Sequence, residues 1–133
     1  MNDAFQTFDD FWPYYVREHS KPTTRWMHFA GTAAALLCLT AFARTRKLRW
    51  LVAAVVSGYG PAWVSHFFVE KNRPATFKYP LWSLQADLKM FALMLRGQMN
   101  DEIARVTSHP SPPNGQASTT TQVDGTHTSN TSN

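Results

Sequence analysis

The stretch Trp63-Val-Ser-His-Phe-Phe-Val-Glu-Lys-Asn-Arg-Pro-Ala-Thr-Phe77 starts inside an apolar run and leaves it through Glu70, Lys71, Asn72 and Arg73. His66 and Glu70 are four residues apart, so on a helix both side chains face the same way. An imidazole and a carboxylate where a long apolar segment ends are costly to hold near lipid, and such groups are usually paired, ligated or functional. The apolar run that holds His66 extends from Trp50 to Val69, about 20 residues and long enough to span a bilayer. Gly58, Tyr59, Gly60 and Pro61 are expected to kink it. Ala54, Gly58, Ala62, His66 and Glu70 step by four, a small-residue seam suited to close helix packing that leads up to His66.

A second apolar run lies upstream, from Trp26 to Ala43, about 18 residues without a charge between Arg25 and Arg44. His28 is its one strongly polar residue. Gly31 and Ala35 share its face, so another helix can approach closely there. The intervening Arg44-Thr-Arg-Lys-Leu-Arg49 is a short basic turn. The two runs therefore read as an antiparallel hairpin, which sets the start of the first beside the end of the second. A compact soluble bundle that buries both runs is the alternative.

Outside the hairpin, Phe5, Phe8, Phe11, Trp12 and Tyr15 recur at three and four with Asp3, Asp9 and Asp10 between them. That is an amphipathic N-terminal helix for a membrane interface or for the top of a bundle. Asp9 or Asp10 is expected to cap it, with Pro13 near its first turn and Ser20-Lys-Pro22 ending it. After Asn72-Arg73-Pro74, Pro80 opens a third amphipathic helix. Its stripe is Leu84, Leu88, Phe91 and Leu95, opposite Gln85, Lys89 and Arg96, with Asp87 at the stripe's edge. The fold class is thus all-α: a small helical membrane bundle over 1–106, made of these two helices and the transmembrane hairpin. Residues 107–133 are Ser-, Thr- and Asn-rich, hold no aromatic residue and read as a disordered tail. His109, His127 and the glycosylation-like Asn130-Thr-Ser132 fall there.

The chain has 133 residues, formal charge +4, 14% aromatic residues and one cysteine. That length makes one domain. A lone Cys38 excludes an internal disulfide and a thiolate zinc cluster. Basic residues at the edges of apolar runs suit membrane lipids rather than nucleic acid. Positive residues flank both ends of the hairpin, so the positive-inside rule is nearly balanced.

Topology gathers His19, His28, His66, Glu70 and Asp87 at one end of the molecule. Three imidazoles, or two with a carboxylate, suit a first-row ion such as iron or zinc, and two histidines with one carboxylate is the pattern of ferrous oxygenases. His66-x-x-x-Glu70 alone is not a specific metal motif.

Tyr15 and His19-x-x-Pro22-x-x-Arg25-x-x-His28-x-x-Gly31, followed by Trp63-x-x-His66-x-x-x-Glu70-x-x-x-Pro74-Ala75, carry a family likeness over roughly residues 5–97. The pattern resembles a family of small membrane proteins long known only as a domain of unknown function. Its characterised fungal member is an endoplasmic-reticulum dioxygenase that shortens 2-hydroxy fatty acids by one carbon. Ser65 departs from the glycine expected before the second histidine. The resemblance implies Fe2+ as cofactor, held by His19, His28 and His66, with Glu70 or Asp87 completing or orienting the set. It implies oxygen and a hydrophobic 2-hydroxy acid as substrates, and Arg25, Lys71 or Arg73 is expected to meet the acid's head group. It also implies a multi-pass integral membrane protein of the endoplasmic reticulum or, in a bacterium, the inner membrane. A non-catalytic membrane scaffold or lipid-binding protein, in which the histidines only pack, is the alternative function.

Overall fold

In the computed structural model, residues 5–108 are described; the tail from 109 on, with His109, His127 and Asn130–Ser132, lies outside the described residues. Five α-helices follow in order: α1 (Phe8–Glu18), α2 (Pro22–Thr45), α3 (Leu48–Val64), α4 (Pro80–Leu95) and α5 (Met99–Ser108). The all-α class and the central hairpin are as expected. α5 is additional: Met99 and Val106 on it are buried, yet its polar composition gives no apolar run to notice.

Local chemistry sets the helix ends. Thr7, not Asp9 or Asp10, caps α1: its hydroxyl accepts from the Asp10 backbone N–H at 3.2 Å and donates to Asp10 Oδ2 at 2.6 Å. The two aspartates instead occupy the first turn, where negative charge suits the helix dipole, and this puts Pro13 in the second turn. Pro22 and Pro80 open α2 and α4, where a missing N–H costs nothing. Arg46, at φ 55°, turns the chain between α2 and α3. Gly97, at φ 68°, ends α4 in the left-handed conformation that glycine adopts without a Cβ penalty.

The buried core does not belong to the hairpin. Phe11, Trp12, Tyr15 and Val16 of α1 pack with Ala86 and Met90 of α4, Met99 and Val106 of α5, and Ala75 from a 3-10 turn at Ala75–Phe77. These three helices form a cap at the end of the hairpin where α2 begins. α1 thus covers a bundle, the second of its two expected settings. Glu102 fastens α5 to α1, accepting from Trp12 Nε1 at 2.5 Å and from Arg105 Nη2 at 2.5 Å.

The hairpin itself is almost bare. α2 and the 23-residue helical run Leu48–Glu70 are long and apolar enough to cross a membrane, and only 11% and 22% of their most apolar windows are buried. A core helix of a soluble bundle is ordinarily covered by its neighbours, and these two are not. Leu37, Val52, Val56 and Phe68 face outward. The expected α4 stripe does too: Leu84, Leu88 and Leu95 are exposed, and α4 packs through Ser83, Ala86 and Met90. An apolar stripe marks the buried face only for a helix bathed in water; where the surroundings are apolar, small residues mark the contact.

Gly31 is the tightest of those contacts. A Cβ there would stand 2.7 Å from the Ser57 carbonyl oxygen on α3. Pro61, four residues after Ser57, has no N–H to give that carbonyl, and the oxygen lies against Gly31. A Cβ on Gly58 would meet only Ala35 Cβ, at 3.7 Å, an ordinary contact.

Two outcomes follow from this packing. Gly31→Ala should destabilise the hairpin by about 1–3 kcal/mol through overpacking against backbone, while Gly58→Ala should stay within about 1 kcal/mol of the parent; unfolding by denaturing detergent separates the two. The Glu102 carboxyl is lowered from 4.5 to about 2, first by the hydrogen bond from Arg105, then by that from Trp12. A carboxyl depressed in the folded state stabilises fully above its unfolded pKa and loses that contribution as pH falls through the folded one. Trp12 fluorescence should therefore report loosening of α5 between about pH 4.5 and 2, and Glu102→Gln should remove that part of the transition.

Candidate metal centre

His19, His28 and His66 meet where the cap joins the hairpin, and all three are buried. His19 closes α1 as its C-terminal cap, its own backbone N–H bonded to the Val16 carbonyl. His28 sits in the second turn of α2. His66 lies just past the point where α3 gives way, without a break, to a π-helical stretch, Ser65–Glu70. The expected disturbance at Gly58–Pro61 thus appears as a change of helical register beginning four residues after Pro61. Ser65 is fully buried there and donates its hydroxyl to the Ala62 carbonyl at 2.7 Å. Lys71, at φ 60°, ends the stretch, and the N–H of Asn72 returns to the His66 carbonyl at 3.0 Å.

Each imidazole is tied on its far side. His19 Nδ1 lies 2.6 Å from the Tyr15 carbonyl, His28 Nδ1 2.8 Å from Asp87 Oδ1, and His66 Nδ1 2.8 Å from Asn72 Oδ1. The orientation of the Asn72 amide follows from its other end, where Nδ2 donates to the Glu18 carbonyl at 3.1 Å and to Glu18 Oε2 at 2.8 Å. All three partners of the Nδ1 atoms are acceptors, so each Nδ1 carries the hydrogen and each Nε2 presents a lone pair.

Those lone pairs face one another. His19 Nε2 is 3.2 Å from His28 Nε2 and 3.1 Å from His66 Nε2, and the three ligand atoms lie within 4.8 Å of one another. A single proton can bridge one pair but leaves the third acceptor buried without a donor, which is expensive. A cation resolves all three at once, and one ion bonded at about 2.0–2.1 Å is within reach of the set. The residues therefore fit a metal: neutral imidazoles, bound through Nε2, each held by a hydrogen bond from its other nitrogen. Burial, then the neighbouring His28 and His66, pushes the His19 pKa well below its usual value, which keeps that ring neutral.

Neither carboxylate is among the converging ligand atoms, and of the two roles expected for them Asp87 has the orienting one. Asp87 Oδ1 accepts from His28 and also from the Tyr15 hydroxyl, so it orients a histidine. Burial, then Asp87, raises the Tyr15 phenol well above its ordinary value, so it stays protonated and donates. Glu70 closes the α1–α2 loop onto the end of the π stretch: Oε2 accepts from Ser20 Oγ at 3.0 Å and Oε1 from the Lys21 N–H at 2.8 Å. Lys21 Nζ in turn donates to the Val69 carbonyl. Of the three expected head-group cations, Arg25 is buried beside His19 whereas Lys71 and Arg73 are exposed.

Sequence reasoning passed over Tyr15 and Asn72 as site residues. Tyr15 holds two histidines, His19 through its carbonyl and a stacked ring at 4.0 Å, and His28 through Asp87. Its spacing of four from His19 is the signal that could have found it. Asn72 is six residues from His66, a separation that regular helical spacing does not bring together.

Replacing Asp87 by Asn or Asn72 by Leu should weaken metal binding by about 10–100-fold, because both hold a ligand rather than the ion. Tyr15→Phe keeps the ring and the carbonyl and should weaken it less. Chelator competition on each variant measures the order, and equal affinities throughout would remove these residues from the site.

No curated protein and no solved structure matches the chain. The family model described as 2-hydroxy-palmitic acid dioxygenase Mpo1-like matches residues 5–99. That span runs from the aromatic start of the cap through all three histidines, Asp87 and Asn72 to the first residue of α5. With most of its length matched and the buried imidazoles within the match, the chain belongs to the 2-hydroxy-palmitic acid dioxygenase Mpo1-like family.

Proposed function

We propose that this protein is a multi-pass integral membrane dioxygenase, dependent on Fe2+, that shortens a 2-hydroxy fatty acid by one carbon. It would reside in the endoplasmic reticulum of a eukaryote or the inner membrane of a bacterium. The observation that carries the reading is the buried convergence of three Nε2 lone pairs with no donor among them, in a chain of the Mpo1-like family. Ferrous iron, which His19, His28 and His66 would hold, would let triplet dioxygen react with the closed-shell acid, the acid itself being the electron donor; three protein ligands would leave room for the substrates.

The remaining work falls to the chain. Tyr15, Asp87 and Asn72 hold the three rings in one tautomer, and Arg25, Lys71 and Arg73 are the cations available for the acid's head group. Glu70 keeps the α1–α2 loop closed over the centre. The bare hairpin gives the acyl chain apolar surroundings on the same side of the cap. The overall change converts R–CHOH–COOH and O2 into R–COOH, CO2 and H2O. The carbon–carbon bond to the carboxylate breaks, the 2-carbon is oxidised and dioxygen is reduced, so no further reductant is required.

Detergent-purified protein loaded anaerobically with Fe2+ should hold about one ion per chain, and the protein with His19, His28 and His66 all replaced by Ala should hold none. The loaded protein should consume oxygen with 2-hydroxypalmitate and release carbon dioxide. Absence of bound metal in both proteins would turn the reading to a membrane scaffold whose histidines only pack.

A further inference from the structure

Arg25 lies in the first turn of α2, three residues before His28, and is only 8% exposed. Its Nη1 donates to the His19 carbonyl at 2.8 Å and to the Ser20 carbonyl at 2.7 Å. These two bonds use both Nη1 hydrogens and clamp the guanidinium to the loop that carries His19. Among the described residues no carboxylate lies within ion-pair distance of it; Glu70 acts on its charge only through space, its own oxygens accepting from Ser20 and Lys21. A buried guanidinium with no carboxylate bonded to it is an expensive thing to keep.

Among the described residues the donors left unused are Nε–H and the two N–H groups of Nη2. Nε–H and the nearer Nη2 N–H lie along one edge of the plane, the fork that matches a carboxylate bidentately. Arg25 also lines a cleft of about 350 Å³ between the start of α2 and the α4–α5 junction. Trp26, Met94 and Met99 give it apolar walls, and Asn100 is its other polar side chain. A fixed cation, an open bidentate edge and apolar walls together describe a receptor for a carboxylate attached to a hydrocarbon chain.

We infer that this cleft is where the acid is held, with its carboxylate on the Nε–Nη2 edge of Arg25 and its first methylenes against Trp26, Met94 and Met99. The choice of a 2-hydroxy acid rests on the oxygenase reading; the carboxylate site rests on Arg25 and the cleft. Because Arg25 is bonded to the backbone of His19, a head group seated there lies beside a residue of the metal centre. Lys71 and Arg73 then need no part in holding it. Lysine cannot replace the arginine, since one ammonium cannot both satisfy the two carbonyls and offer a flat pair of donors.

The test is binding to metal-free protein in phosphatidylcholine nanodiscs, titrated calorimetrically with 2-hydroxydecanoate and with 1,2-decanediol, which keeps the hydroxyl and chain but lacks the carboxylate. The acid should bind and the diol should not. Arg25→Lys should weaken the acid by about tenfold or more, the loss expected when charge-assisted hydrogen bonds go. Asn100→Trp fills the cleft from an exposed position and leaves Arg25 and its carbonyls untouched, which guards against a folding artefact. It should weaken the acid comparably while metal content in the loaded protein stays unchanged. Equal binding of acid and diol, displacement of the acid by phosphatidylglycerol, or full binding by Asn100→Trp would each overturn the proposal. Oxygen uptake is read separately. The expected binding pattern without turnover would sink the oxygenase reading and leave the carboxylate site standing, and turnover with unchanged binding in Asn100→Trp would do the reverse.

Discussion

Three unprotonated imidazole nitrogens, buried and aimed at one another, are the constraint on which the rest of this molecule depends. The repulsion comes from what stands behind each ring rather than from the rings. A carbonyl, a carboxylate and an amide oxygen each demand the Nδ1 hydrogen, and with it gone to the outside no ring has a hydrogen to turn inward. Neutral imidazoles offered through Nε2 are what a first-row ion requires. The bonds that hold the rings thus also select the protonation state in which they can serve as ligands.

Holding three rings in this way takes three separate pieces of chain, and that explains the division of the fold. α2 and α3 pack on each other through glycine and alanine and turn their large side chains outward, an arrangement that suits apolar surroundings, where such surface needs no cover. The aromatic core is placed in the cap instead, where water must be excluded from α1, α4 and α5. The centre sits at the seam. His28 and His66 come from the hairpin, His19 and the Tyr15–Asp87 pair from the cap, and Asn72 from the link between them. Neither half alone supplies the full set of ligands and supports.

Much of this was legible in the sequence, and the failures have physical causes. Two uncharged runs joined by a basic turn fix an antiparallel pair, and a pair places His28 and His66 at one end whatever the details of packing. His19 follows because so short a loop before Pro22 cannot carry it away. Glu70 misled because regular helical spacing puts it on the face of His66, whereas the π stretch widens the turn and brings Asn72 behind that ring. A change of helical register leaves no simple mark in composition. α4 misled in the other direction, since its leucine stripe reads as a core face only if the solvent is water. α5 was not noticed because its apolar contribution is little more than Met99, Ile103 and Val106 in a polar segment. The carboxylates show the same limit: sequence brought Glu70 and Asp87 to the right end, but only the geometry separates a loop clasp from a histidine's partner.

The seam also makes cap and centre interdependent. α1 reaches the hairpin through few polar contacts besides its histidine, and its hold on α4 and α5 is an aromatic packing of Phe11, Trp12 and Tyr15 with Met90, Met99 and Val106. Burying one such large side chain contributes on the order of 1.5–3 kcal/mol, so the cap's cohesion is hydrophobic, whereas its attachment at the centre is polar. An ion shared by His19, His28 and His66 would add a bond between the two halves that neither possesses alone, and binding energy of that kind is folding energy. The converse also holds. Facing lone pairs cost energy where nothing lies between them, and the clasp of Glu70 on Ser20 and Lys21, with Asn72 on Glu18, ties cap to hairpin against that cost. Glu70 thus bears on the three histidines from outside their cluster: it holds the α1–α2 loop against the end of the π stretch, and with it His19 against His66.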